Sequence, residues 1–245
     1  DSTDLTANHD HLRAYDLYDG VAGRAFYKRI VSTLVQVAGY RFGDINSPQP
    51  GEDCFAFYYD WRRDVVENAQ ILGAAIARVR AAHSVGGAPS PKVDLIAHSM
   101  GGLIARYYIK YGARDVLGER QPRVDHVGAR EVDTVVMIGV PNEGTLDTFE
   151  SHNKGVRIVR PLPPEAIFTM PSAYQTLPRV RVGPFIDESG RTLDIDLYEP
   201  ANWEKYGWSV FAPSRLRRLR EESVRASGRQ EGERRYLEHL DHMRT

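Results

Sequence analysis

Val93-Asp94-Leu95-Ile96-Ala97-His98-Ser99-Met100-Gly101-Gly102 is the stretch that decides the fold of this 245-residue chain. A short apolar run ends at a serine with small residues two positions to either side. A helix-compatible stretch, Leu103-Ile104-Ala105-Arg106-Tyr107-Tyr108, follows at once. The pattern is G-x-S-x-G with alanine in the first glycine's place, the mark of a sharp strand-to-helix turn that lifts a hydroxyl out of a sheet. Bulky neighbours would clash there, and Gly101 and Gly102 let helix and strand backbones approach closely. At ordinary residue usage the five-residue pattern alone recurs in roughly one chain in six of this length. Ala82-His83-Ser84-Val85-Gly86 is such a repeat. Context separates the two: Ser84 ends a helical run and precedes Gly87-Ala88-Pro89-Ser90-Pro91, which cannot open a helix. Ser99 is the candidate nucleophile.

Composition narrows the rest. One large α/β domain fits the length, and such a chain can bury a substantial core. With 32 basic and 33 acidic residues there is no electrostatic case for nucleic acid or an anionic membrane surface. Cys54 is the one cysteine, so an internal disulfide and a Cys-rich metal site are both excluded. The longest apolar stretch, near Ile71–Ala77, is far short of a transmembrane span. No secretory signal is visible, but the chain starts at Asp1 rather than a methionine, so the compartment stays open.

Outward from the elbow, apolar positions at Phe26, Ile30, Leu34 and Val37 predict a helix stopped by Gly39. Cys54-Phe55-Ala56-Phe57-Tyr58-Tyr59 reads as an aromatic strand. Asp60 would then cap a long helix from about Arg62 to Ala82, with Val65, Ala69, Leu72, Ile76 and Val79 on one face. The elbow helix runs to Tyr111 with Gly112 as its terminator, and Val132–Val140 reads as a second strand. Strands alternating with helices imply a mostly parallel sheet with helices on both faces. Residues 1–145 are therefore expected to form an α/β core. After Thr145 proline becomes frequent and aromatics lose their period, so residues 146–212 read as a cap over the serine. Within it, Phe185–Tyr198 resembles a hairpin turning at Glu188-Ser189-Gly190. Residues 213–245 are Arg- and Glu-rich and helical in pattern.

Several of these segments together resemble the lecithin:cholesterol acyltransferase family and its bacterial lipase-like relatives. They are Tyr59-Asp60-Trp61-Arg62, the stretch Ala97–Leu103 with Arg106-Tyr107-Tyr108, Gly139–Thr145, and Met170-Pro171-Ser172-Ala173-Tyr174. Asp196-Leu197-Tyr198 before Trp203, and Tyr206-Gly207-Trp208, fit the bacterial members. The likeness runs from about residue 12 to about residue 215. It implies an α/β-hydrolase fold with a cap insertion, acyl-ester chemistry on lipid-like substrates, and a Ser-Asp-His triad in that order.

A serine hydroxyl needs a histidine to take its proton, an acid to orient that histidine, and donors for the oxyanion. The backbone N–H of Met100 is one such donor, and a second belongs to a loop after an earlier strand. On this reading that loop precedes Asp1, and the triad Asp and His, which are not identified in the chain, follow Thr245. The chain is thus expected to be incomplete at both ends. Inside it, Asp147 and His152 are the substitutes to test, against a turn aspartate and a loop histidine. His98 adjoins Ser99 but should point away from it. His239 and His242 lack a third ligand, so no metal and no cofactor is expected. Asp60 and Arg62 read as a structural ion pair. Phe149, Ile167, Phe168, Met170, Tyr174, Trp203, Trp208 and Phe211 either line an acyl channel or form the cap's own core. The expected function is a serine lipase or esterase, or an O-acyltransferase, acting on a hydrophobic ester or lipid with an alcohol as acceptor in the second case. The alternative is a non-catalytic binding protein of the same fold, or an inactive piece without its triad Asp and His.

Overall fold

A computed structural model describes residues 26–84, 90–157 and 161–244. They divide into two compact units, one ending at Asn142 and the other beginning at Glu143.

The first unit is built on two helices and a parallel strand pair. Helix α1 (Phe26–Gln36) precedes two short parallel strands, β1 (Phe42–Gly43) and β2 (Cys54–Phe55). Helix α2 spans Val65–Ala82, strand β3 Val93–His98, helix α3 Met100–Tyr111 and strand β4 Val132–Ile138. β3 and β4 pair in parallel from Val93↔Val132 to His98↔Ile138. The register shifts once, between Val93 and Leu95, where the Asp94 carboxylate accepts from the Thr134 N–H at 3.0 Å. Val65, Ala69, Leu72 and Ile76, at helical spacing on α2, pack with Leu103, Ile104 and Tyr108 of α3 and with Val132. Gly73 sets how closely the two helices approach: a Cβ there would lie 2.7 Å from the Tyr108 ring.

Three expectations need correction. The aromatic strand is only Cys54–Phe55, and Phe57 and Tyr59 serve as ring packing against the core instead. The cap of α2 is Asp64, whose side chain accepts from Val66 N–H, and not Asp60. Asp60 is taken by its neighbour: Arg62 donates to it from Nε at 2.9 Å and from the guanidinium tip at 2.7 Å, the ion pair that the sequence suggested. Burial alone would raise the Asp60 pKa, but the Arg62 hydrogen bonds and charge outweigh it and hold the carboxyl below its ordinary value. Finally, among the described residues the sheet is not one extensive layer. α2 and α3 cover one face of β3–β4, while on the other Ile96 and Val136 remain 48% and 47% exposed.

The second unit is helical. Helix α4 (Leu146–Lys154) is capped by Thr145, and a short antiparallel pair follows, β5 (Val156–Arg157) with β6 (Pro161–Leu162). Helices α5 (Pro164–Phe168), α6 (Pro171–Gln175) and α7 (Pro200–Tyr206) each begin at proline, whose fixed φ suits the first helical position. The expected hairpin is a turn with one bridge, Ile186↔Thr192, held by the Asp187 carboxylate. Helices α8 (Pro213–Ser227) and α9 (Arg229–Arg244) form a hairpin through Gly228. Leu216, Leu219, Leu240 and Met243 from it pack on Leu177, Leu197, Trp203, Val210 and Phe211. The aromatics assigned to a channel or a core do build this core: Phe149 stands edge-on to Trp208 at 4.8 Å and to Trp203 at 5.9 Å. Among the described residues no helix is long and apolar enough to cross a membrane.

His152 on α4 is 0% exposed, lying between the rings of Tyr174 at 4.7 Å and Trp203 at 5.1 Å. Neither ring nitrogen reaches a partner in good hydrogen-bond geometry. Burial holds its pKa down to about 4, and the backbone of Ala173 offsets only part of that. The unfolded histidine takes its proton near 6.5, so between the two values the unfolded chain binds more protons and stability falls as pH drops. Acid unfolding followed by tryptophan fluorescence should show a loss of up to about 3 kcal/mol from this group between pH 7 and pH 4. His152→Phe should flatten that limb and cost less than about 1 kcal/mol at pH 7, since it removes two unsatisfied buried nitrogens.

Candidate active site

Ser99 stands where β3 ends and α3 begins, with φ 51° and ψ −129°. A non-glycine residue at such a φ is strained by about 1–3 kcal/mol and persists only where its surroundings over-determine it. Here they do. The Ser99 N–H donates to the Ile138 carbonyl at 2.9 Å, carrying the β3–β4 ladder one step past its last pair. On the helix side the Gly102 N–H donates to the Ser99 carbonyl at 3.0 Å. A Cβ on Gly102 would lie 2.1 Å from a methyl of Val140, so only glycine lets the first turn sit this close to the end of β4.

The bend gives the serine a half-buried position with an uncommitted hydroxyl. Among the described residues that hydroxyl makes no hydrogen bond, not even the usual cap to its own helix. The Met100 N–H is the first of α3 and so has no intrahelical acceptor. It adjoins the serine at the positive end of a 12-residue helix, a setting that favours a developing oxyanion.

His98 turns away from Ser99, as expected from strand alternation. Its Nδ1 meets the Tyr27 hydroxyl of α1 at 2.9 Å, the rings edge-on at 5.7 Å. Burial depresses its pKa and keeps the imidazole neutral. Tyr59 closes the other side: its hydroxyl lies 3.6 Å from where a Gly101 Cβ would be. Its pKa is pushed up to about 12, by burial first and by Tyr27 second.

The remaining candidates are described within their own elements. Asp147 is exposed in the first turn of α4, and His152, sealed in its aromatic cage, has no free face with which to act as a base. His239 and His242 lie on α9. Among the described residues no group of three or more His, Cys, Asp or Glu side chains could hold a metal ion. Ser84, the decoy, donates to the Arg80 carbonyl at the end of α2. A cleft of about 410 Å³ does exist in the first unit, but Gly73, Gly112, Val127 and Arg130 line it around the C-terminal end of α3, away from Ser99.

Backbone strain at position 99 can be separated from side-chain chemistry by two substitutions. Ser99→Gly relieves the positive φ, whereas Ser99→Ala keeps the Cβ that causes it. Urea unfolding should find the glycine variant more stable than the alanine variant by about 1–2 kcal/mol, the entropy of a glycine offsetting part of the relief. An alanine variant as stable as the glycine one would show that the bend is not strained.

Comparison with curated proteins yields no match. The family model for lecithin:cholesterol acyltransferase matches residues 13–167, well over half of the chain and including α1, the elbow and β4. The chain belongs to the lecithin:cholesterol acyltransferase family.

Proposed function

We propose that the protein is a serine-nucleophile ester hydrolase, of the lipase or esterase kind, or an O-acyltransferase, acting on lipid-like esters through an acyl-serine intermediate. The family points to lipid acyltransferase or esterase activity in general. The observation that carries the finer reading is the positive φ of Ser99 between β3 and α3, with the Met100 N–H beside it.

In this reading Ser99 Oγ attacks the acyl carbonyl and the carbonyl oxygen becomes an oxyanion facing the Met100 N–H. The serine proton passes to a histidine base, which returns it to the departing alcohol. Collapse of the tetrahedral species leaves an acyl-serine. Water then releases a fatty acid, or an acceptor alcohol takes the acyl group, and Ser99 regains its proton. Among the described residues no histidine nitrogen hydrogen-bonds to the Ser99 hydroxyl. Both outcomes use the same residues, and they differ only in whether an alcohol replaces water at the second step.

The test uses the intact protein with p-nitrophenyl esters of increasing chain length and with a fluorophosphonate that labels activated serines. Turnover should be lost in Ser99→Ala by about 10⁶-fold, the scale set by removing a triad serine elsewhere. Mass spectrometry should place the label on Ser99. Turnover unaffected by Ser99→Ala would refute Ser99 as the nucleophile, and absence of both labelling and turnover would make the protein a non-catalytic member of its family.

A further inference from the structure

A strained turn can position a nucleophile only if both of its flanks are fixed. The helix-side flank is fixed by the Gly102 contact with Val140. On the strand side, the backbone of His98 is held by its pairing with Ile138. Its side chain lies on the sheet face opposite Ala97, and there the Tyr27 hydroxyl, from the first turn of α1, reaches Nδ1 at 2.9 Å. The edge-on ring contact, 74° between planes, fixes the direction of approach as well as the distance.

Burial lowers the His98 pKa and raises that of Tyr27, so both groups favour their neutral forms. A neutral imidazole and a phenol can pair in either sense, Tyr27 O–H donating to Nδ1 or Nδ1–H donating to the Tyr27 oxygen, and the bond holds the ring in both. Tyr27 also lies close enough to Tyr59 to act on its pKa, so the two tyrosines flank the bend from α1 and from the segment before α2.

We propose that Tyr27 is a positioning residue for the reaction at Ser99. By its hydrogen bond with His98 Nδ1 it locks the last residue of β3, and with it the Ser99 bend and the Met100 N–H, in the reacting geometry. The proposal rests on Ser99 being the nucleophile. Its role runs through His98, which its hydroxyl meets at 2.9 Å. Small misplacements of a nucleophile are costly, about 10²-fold for a displacement near 1 Å. The loss should fall on kcat, because substrate binding does not depend on the angle at Ser99.

Tyr27→Phe keeps the ring contact and deletes only the hydroxyl. In the intact protein it should lower kcat for a p-nitrophenyl ester by about 10- to 100-fold. KM should stay within about twofold, with little change in melting temperature. His98→Leu should do the same. His98→Asn, whose side-chain amide offers both an acceptor and a donor where Nδ1 stood, should recover much of the loss. In the His98→Leu background, Tyr27→Phe should cost clearly less than it does alone, because the bond between the two is already gone.

The inference is overturned if Tyr27→Phe leaves kcat within twofold, or if its effect is undiminished in His98→Leu. It is also overturned if His98→Asn is no better than His98→Leu. Ser99→Ala, measured in parallel, separates the two levels. Retained turnover in that variant sinks the nucleophile assignment, whereas its loss beside a normal Tyr27→Phe sinks the positioning role alone.

Discussion

The first unit is organised by a backbone angle that its residue type disfavours. A serine at φ 51° relaxes unless strand, helix and their junction all oppose the change. The β3–β4 ladder opposes it along its whole length, from the Val93 N–H on the Glu131 carbonyl to the Ser99 N–H on the Ile138 carbonyl. α3 cannot slide back, because Gly102 is already against Val140. α3 cannot lift away either, since Leu103, Ile104 and Tyr108 are buried against α2.

The far end of α3 is held by a different kind of interaction. Tyr108, 3% exposed, donates its hydroxyl in a short hydrogen bond to Glu131, and Arg80 of α2 donates to the same carboxylate at 2.6 Å. Burial, followed by the Glu131 hydrogen bond and charge, raises the Tyr108 pKa, so the hydroxyl keeps its proton. Three segments thus meet on one carboxylate: α2, α3 and the residue just before β4. The Gly128 backbone fits beside the Tyr108 carbonyl, where a Cβ would lie 2.1 Å from the oxygen. Apolar packing sets the distance between helix and sheet, and this polar knot sets the position of α3 along its axis.

The elbow was legible because its causes are local. A small residue before the serine, two glycines after it, an apolar run and a helical run all lie within about sixteen residues, and α3 ends at Gly112 as read. The Ser84 decoy shows the limit, since its five residues satisfy the same pattern and only its flanks, a helical run before and a proline-rich stretch after, disqualify it. Asp60 and Asp64 show another. Both can cap a helix, and the choice depends on where Arg62 goes, which spacing does not reveal. The sheet was over-read for a similar reason: β-propensity in Phe57 and Tyr59 reports a fit to a half-buried surface, and ring packing supplies that as well as a ladder does. His152 was the least legible. Its sequence neighbours are polar, and its burial comes from Tyr174 and Trp203, 22 and 51 positions away.

Strain alone does not mark a reactive serine, and this chain holds its own control. Ser209 also has a positive φ, 53°, and its hydroxyl also lacks a hydrogen-bond partner. Yet Ser209 is fully buried, its N–H is taken by the Asn153 side chain at 3.0 Å, and its carbonyl accepts from Arg215 at 2.8 Å. Its strain is the cost of a tight 3₁₀ turn that packs Val210 and Phe211 into the aromatic core. No substrate can reach that oxygen. Ser99 differs in two respects that the proposed chemistry requires: it is half-exposed, and the amide that follows it opens a three-turn helix instead of closing a turn. The backbone outlier acquires functional meaning only when accessibility and a donor are added to it.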